Sequence, residues 1–71
     1  MSARPTWRRL RGHAEWQMRY RWDVPVNESP LVAVVVKEAE GFAFTTMGTV
    51  GWRANLDDAL AAACALLGVP P

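Results

Sequence analysis

Cysteine and histidine are almost missing from this 71-residue chain, which has one residue of each, Cys64 and His13. A single cysteine cannot close an internal disulfide, and two distant ligands make no zinc site. Cys64 stands in an alanine and leucine run, so we expect a buried thiol that acts as a small hydrophobe. His13 follows Gly12 at a predicted turn and is expected to be exposed rather than catalytic.

Long apolar runs are also missing. The longest, residues 59–67, is far shorter than the ~20 residues of a membrane helix. Residues 1–11 have arginines but no apolar core of a signal peptide, so we expect a soluble, cytoplasmic protein without a membrane partner. The segment 48–51 has two glycines but lacks the lysine of a phosphate-binding loop. The sequence predicts no enzyme, no metal site and no cofactor.

The length predicts one domain spanning residues 1–71. Its net charge of +1 hides an asymmetry between the two parts of the chain. Residues 1–22 have six arginines against one glutamate, whereas residues 23–71 have two basic and six acidic side chains. Either a charged partner binds one part, or the two parts face each other in the fold.

Residues 14–22 alternate in the period-two pattern of a strand. One predicted face carries Ala14, Trp16, Met18, Tyr20 and Trp22, and the other carries Glu15, Gln17, Arg19 and Arg21. The aromatic face is expected to lie in the core. Before this strand, residues 1–12 are predicted to be either an edge strand or a mobile arm.

The remaining chain predicts a hairpin and a helix. Residues 23–30 form a loop, 31–36 and 42–47 form strands around a turn in which Gly41 takes a positive φ, and 49–53 form a short extended piece. Asn55 is expected to cap a helix that ends before Gly68. The residues that recur at helical spacing, and should face the sheet, are Leu56, Leu60, Ala63, Cys64 and Leu67. The predicted fold class is α+β, an antiparallel sheet of three to five strands with one C-terminal helix packed on one face.

One helix covers only one face of such a sheet, so the opposite face should keep an apolar set from the third strand. That set is either Leu31, Ala33 and Val35, or Val32, Val34 and Val36. The predicted outer helix positions Ala61, Ala62 and Ala65 also lack charge. We interpret this surplus as an interface for another protein or a second copy. The alternative is that arginine side chains lie over the valines.

The arginines near the N terminus allow two interpretations. With Trp7, Trp16, Tyr20 and Trp22 among them, they resemble a nucleic-acid footprint. Base stacking requires aromatic rings and cations on one exposed face, however, and the alternation places them on opposite faces. We therefore expect a protein partner, with nucleic acid as the alternative. The predicted partner-binding residues are Arg8, Arg9, Arg11, Arg19, Arg21, Trp52 and Arg53.

The second half of the chain resembles a known family. The residues concerned are the strand 32–36, the segment 38–44 (Glu-Ala-Glu-Gly-Phe-Ala-Phe) and the helix start 54–60 (Ala-Asn-Leu-Asp-Asp-Ala-Leu). Together, residues 31–68 resemble HicB-type antitoxin domains. The resemblance implies a sheet with a capped helix, and a role in binding and blocking a small RNA-cleaving toxin. In size and build the chain is also similar to phage-encoded inhibitors of bacterial defence, including anti-CRISPR proteins. The predicted function is a small non-enzymatic protein-binding module that inhibits or regulates a partner by occupying its surface.

Overall fold

The computed structural model describes residues 5–70, which form a five-stranded antiparallel sheet and one helix. The elements are β1 (Thr6–Arg9), β2 (Glu15–Arg19), β3 (Leu31–Lys37), β4 (Phe42–Thr46), β5 (Thr49–Arg53) and α1 (Leu56–Leu67), with a 3-10 turn at Val26–Glu28. Sequence neighbours pair throughout, so the sheet is an open meander with β1 and β5 at its edges. The predicted α+β fold is confirmed.

The segment before β2 is an edge strand. β1 pairs antiparallel with β2, with Trp7 opposite Met18 and Arg9 opposite Trp16. Residues 6–9 are therefore an edge strand and not a mobile arm. Residues 1–4 of the predicted arm, including Arg4, lie outside the described residues, as does Pro71.

The core lies between α1 and one face of the sheet, which we call the covered face. Its buried side chains are Met18, Ala33, Val35, Phe44, Ala59, Ala63 and Cys64. Trp7 reaches from β1 to the helix, where its Nε1 donates to Cys64 Sγ at 3.4 Å. Trp16 meets Phe42 edge to face, with ring centres 5.7 Å apart. The expectation of a buried Cys64 thiol is confirmed.

Both ends of α1 follow the sequence signals. Asn55 Oδ1 accepts from the Asp58 backbone N–H at 3.0 Å, and Asn55 Nδ2 donates to Asp58 Oδ2 at 3.0 Å. At the other end Gly68 is left-handed, with φ 74°. The Gly68 and Val69 amides donate to Ala65 and Cys64 carbonyls, as in a Schellman motif.

The contacts of α1 differ in two places from the predicted ones. Ala59, which lies between the predicted sheet-facing positions, is fully buried. Ala62 is half-buried against the core, so its prediction as an outer position was wrong. Ala61 and Ala65 are exposed as expected.

The second strand is shorter than predicted, and its alternation of faces holds only as far as Arg19. The pairing of β2 with β3 shifts between Met18 and Arg19, which marks a β-bulge. β2 ends at Arg19, and Tyr20 is 46% exposed. The prediction that Tyr20 and Trp22 lie in the core beside Trp16 was therefore wrong, because the strand ends at Arg19 and its alternation does not extend to these two residues.

The two hairpin turns use glycine for different reasons. Gly41 does not take the predicted positive φ. It is instead required by close packing, because an added Cβ would meet the Trp52 ring and lie 2.6 Å from the Arg53 carbonyl oxygen. Between β4 and β5, Met47 (φ 51°) and Gly48 (φ 76°) are both left-handed, which defines a two-residue type I′ turn. The return strand β4 therefore ends at Thr46, one residue before the predicted end at residue 47.

Candidate functional site

No strand of residues 5–70 packs on the sheet face opposite α1, which we call the open face, although the loop 20–30 lies against its β1–β2 end. One row of cross-strand neighbours on this face comprises Arg8, Gln17, Val34, Thr45 and Val50. The next row comprises Glu15, Val36, Ala43 and Trp52. The face is thus polar and cationic at β1 and β2, and mainly apolar from β3 to β5.

The cationic half is organised around a tryptophan. The guanidinium carbon of Arg8 lies 4.5 Å from the centre of the Trp22 ring, and that of Arg19 lies 5.8 Å away. Trp22 Nε1 donates to the Thr6 carbonyl oxygen at 3.2 Å. We call Arg8, Arg19 and Trp22 the Arg–Trp cluster. It ties the loop after β2 to the edge strand β1.

Hydrogen bonds along β2 hold Arg19 in position. Its Nη1 donates to the Ser29 carbonyl oxygen at 2.9 Å, and its Nη2 donates to Gln17 Oε1 at 3.2 Å. Gln17 Nε2 in turn donates to Glu15 Oε2 at 2.8 Å. Because Arg19 is half-buried and anchored on two sides, little rotamer freedom remains to be lost on binding.

Ser29 fastens the loop that carries Trp22. Its side chain is buried, and its Oγ accepts from the backbone N–H of Arg21 at 2.6 Å. The Ser29 carbonyl oxygen also accepts a hydrogen bond from Arg19 Nη1. Ser29 therefore closes the loop 20–30 on itself through its side chain and connects the loop to β2 through its carbonyl oxygen.

Arg21 forms the one ion pair found among residues 5–70, with its Nη2 2.9 Å from Asp23 Oδ2. The hydrogen bond from Arg21 lowers the pKa of the Asp23 carboxyl below its usual value. The same hydrogen bond raises the pKa of Arg21. Both side chains are exposed, and pairs of this kind contribute little to stability. The oppositely charged parts of the chain are therefore not joined by a network of ion pairs within the described range.

A hollow of about 240 Å³ lies beside the cluster. Its walls are Leu10, Gln17, Arg19, Arg21, Trp22, Val24 and Ser29. The walls combine anchored hydrogen-bond donors with apolar surface. This is the composition that receives a side chain from a partner in many binding sites.

The other half of the open face is an apolar band, formed by Val34, Val36, Ala43, Val50 and Trp52. Val50 is 71% exposed and Trp52 is 47% exposed. A second hollow of about 200 Å³ adjoins the band and is lined by Leu31, Val32, Ala33, Val34, Thr45, Thr46 and Met47. An apolar surface that continues across three strands is typical of an interaction site.

The predicted surplus of apolar side chains is present, with one change. Val34 and Val36 stand on the open face, whereas Val35 is fully buried on the covered face. Val32 lies at the bulge and packs partly against the core. Among the described residues, the open-face arginines Arg8 and Arg19 cluster at Trp22 and not over the valines.

The seven predicted binding residues do not form one surface. Arg8, Arg19 and Trp52 lie on the open face. Arg9 and Arg53 are on the covered side instead, where they stack 5.3 Å from the rings of Trp16 and Phe44. The other two, Arg11 and Arg21, are exposed outside the strands, in the β1–β2 turn and the following loop.

Sequence reasoning missed three residues of this surface. The sequence predicted Trp22 in the core and Ser29 in the loop 23–30 without a functional role, and Val50 was not among the predicted binding residues. Only Val50 had a usable signal, because it shares the face of Trp52 in a short extended segment. The positions of Trp22 and Ser29 depend on where β2 ends and on the hydrogen bonds that join the loop to β1 and β2.

Within residues 5–70, no three His, Cys, Asp or Glu side chains are grouped so that they could hold a metal ion. His13 is exposed in the β1–β2 turn, as predicted. Between residues 5 and 70 there is no helix with the length and apolar character needed to cross a membrane.

Comparisons with family models, with curated proteins and with solved structures gave no match to this chain. The resemblance of residues 31–68 to HicB-type antitoxin domains therefore stays a prediction.

Proposed function

We propose that this protein is a non-enzymatic binding module that inhibits or regulates a partner protein by occupying part of its surface with the open face. The observation that carries the proposal is the continuity of this face. An anchored Arg–Trp cluster and an exposed apolar band adjoin each other there, and α1 covers only the opposite side.

The two halves of the face supply different parts of the binding. Removing the band from water contributes about 25 cal/mol per Å² of apolar surface buried. Arginine and tryptophan are the side chains that most often dominate interface energies, particularly when they are held in place beforehand. The cations of the cluster select a partner with a complementary acidic surface.

An antitoxin-like or anti-defence role fits this mode of action. A chain of 71 residues inhibits most simply by covering a site on a larger protein, which requires only surface complementarity. HicB-type antitoxins bind and block a toxin, whereas the likeness to phage-encoded inhibitors such as anti-CRISPR proteins is one of size and build. The resemblance and the open face support the same kind of function.

The test compares two adjacent arginines on opposite faces. Arg8 and Arg9 are both exposed and both stack on a tryptophan, at 4.5 Å and 5.3 Å. The charge reversals Arg8→Glu and Arg9→Glu therefore change net charge equally and disturb similar contacts. Wild type and both variants serve as baits for affinity capture from cells that naturally express the protein, after nuclease treatment.

The expected result is a protein that wild type and Arg9→Glu retain and that Arg8→Glu loses by at least about tenfold, since a charge-assisted contact contributes ~1.5–3 kcal/mol. Circular dichroism of the three chains checks that each is folded. Equal retention by Arg8→Glu and wild type, or loss in both variants alike, would contradict binding through the open face.

A nucleic-acid function is the second candidate, and one observation favours it. Trp22 lies with Arg8 and Arg19, although strand alternation predicted the opposite side. The Arg8 guanidinium already occupies a face of the Trp22 ring, however, so the contacts available to the cluster are with phosphates.

A salt titration separates the two candidates. With a labelled single-stranded oligonucleotide, phosphate binding predicts that the logarithm of the affinity falls linearly with the logarithm of salt concentration. Two to three phosphate contacts give a slope of about −1.4 to −2.1. Our preferred function predicts no saturable oligonucleotide binding at ~0.15 M salt and a captured protein whose affinity depends less on salt.

A further inference from the structure

The two edges of the sheet differ in how they are protected. β1 carries two arginines among four residues, and the Trp22 side chain bonds to its Thr6 carbonyl. Charge and a covering side chain are common ways to prevent strand addition. β5 has the sequence Thr-Val-Gly-Trp-Arg, with no proline and no charge before its last residue. It is the unprotected edge.

The hairpin geometry determines which β5 backbone groups are free. A two-residue type I′ turn makes its flanking residues, Thr46 and Thr49, a hydrogen-bonded pair. Alternation then directs the N–H and C=O of Val50 and Trp52 away from β4. Consistent with this, the Trp52 carbonyl oxygen accepts from Arg53 Nη1 at 2.7 Å. The same two residues expose their side chains on the open face.

We propose that two copies of this chain pair through β5, antiparallel about a two-fold axis at Gly51, to form one continuous ten-stranded sheet. In this register Val50 of each copy lies opposite Trp52 of the other. The outward N–H and C=O groups of both residues then form four hydrogen bonds across the axis, and at each Trp52 carbonyl the new bond replaces the one from the Arg53 side chain. The dimer is a property of the edge and does not require the partner protein proposed above.

Charge and packing favour a second copy at this edge. The register places Arg53 opposite Thr49 of the other copy, so the two cations do not face each other. Gly51, at the axis, has no side chain that would obstruct the approach, and Phe44 lies over it on the covered side. Each Trp52 packs beside a Val50, which joins the two apolar bands and leaves an Arg–Trp cluster at each far end.

A β5–β1 contact would behave differently. Such head-to-tail pairing leaves an unpaired edge on every added copy and grows without closing. It would also place a second sheet against Arg8, Arg9 and the Trp22 side chain. Two-fold β5 pairing closes at two copies, because the only edges left are the protected β1 strands.

The experiment measures the mass of the full chain in solution against concentration by sedimentation equilibrium. Wild type is expected to move from one copy towards two, and no further. Val50→Pro removes an outward N–H from each copy while every β4–β5 bond stays available. The loss of two hydrogen bonds is expected to raise the dissociation constant about thirtyfold. Thr45→Lys is the control, since Thr45 is the exposed open-face neighbour of Val50 within β4.

Amide hydrogen exchange gives an independent measure that does not depend on a variant. In wild type, protection of the Val50 and Trp52 amides should rise with concentration, whereas the Gly51 amide, bonded to β4, should be protected throughout.

A wild type that remains monomeric at millimolar concentration would overturn the proposal. So would growth beyond two copies, or dissociation by Thr45→Lys with no effect of Val50→Pro, which would indicate face-to-face packing. Arg8→Glu should dimerise normally, so loss of partner binding and loss of the dimer are distinguishable.

Discussion

Two adjacent valines show the difference between the two faces of the sheet. Val35 is completely buried under α1, whereas Val36 is 38% exposed on the open face, although both belong to the same strand. A meander with a single helix has one layer too few to cover both sides of an apolar central strand. The covered face accounts for stability, and the open face keeps apolar side chains that stability alone does not require.

The cations follow the same division. Arg8 and Arg19 lie beside Trp22 on the open face, and Arg9 and Arg53 cover aromatic rings at the margin of the core. Arginine stems on the covered side shield Trp16 and Phe44 from water. The arginines of this chain thus have two physical roles.

The largest expected contrast comes from truncating the two valines. Val35→Ala removes fully buried methyl groups and leaves a cavity, and should lower the free energy of unfolding by about 2–3 kcal/mol. Val36→Ala should cost about 0.5–1 kcal/mol, because its side chain is already partly in water. Urea unfolding followed by circular dichroism measures both values. Equal losses would mean that the open face is part of the structural core.

A smaller effect is expected at the loop that presents Trp22. Ser29→Ala removes the buried hydroxyl that accepts from the Arg21 backbone N–H, at a cost of about 1–2 kcal/mol. It should also shift the indole N–H resonance of Trp22 in an NMR spectrum. Asn27→Ala, an exposed change in the same loop, is the control and should alter neither quantity. If Trp22 is unmoved by Ser29→Ala, the loop does not position the cluster.

The smallest expected effect is a gain at the β4–β5 turn, next to the apolar band. Met47 is left-handed and 75% exposed, a conformation that asparagine tolerates better. Met47→Asn should therefore raise the free energy of unfolding by about 0.5–1 kcal/mol. Met47→Ala, which keeps the Cβ but gains no turn preference, should bring no comparable increase. Identical thermal unfolding of the two variants would refute the type I′ assignment.

Local signals predicted those elements whose determinants are local. Asn55, Asp58 and Gly68 bound α1 because caps depend on residues within one turn of the helix end. The apolar run of β3 and the turn after Lys37 were likewise readable. The α+β architecture follows from these elements in their order along the chain.

The end of β2 at Arg19 was not readable, because the alternating pattern continues in the sequence to Trp22 whereas the pairing with β3 stops at Arg19. Trp22 was misplaced for that reason. The sequence explained Gly41 by the conformation of a turn. The structure explains it by close packing against the Trp52 ring, which belongs to β5 and whose position the sequence did not predict. The division of arginines between the faces also required the final register. The sequence therefore predicted that the candidate surface combines arginine with apolar residues, but not which of these residues lie together on it.

The central claim is that the open face is where this protein meets its partner. Site-specific photo-crosslinking tests it directly, with a benzophenone amino acid at Val36 on the open face or at Ala61, exposed on the outer side of α1. In cells that express the protein, the account predicts a nuclease-resistant protein adduct from position 36 and none from position 61. An adduct from position 61 alone would contradict it.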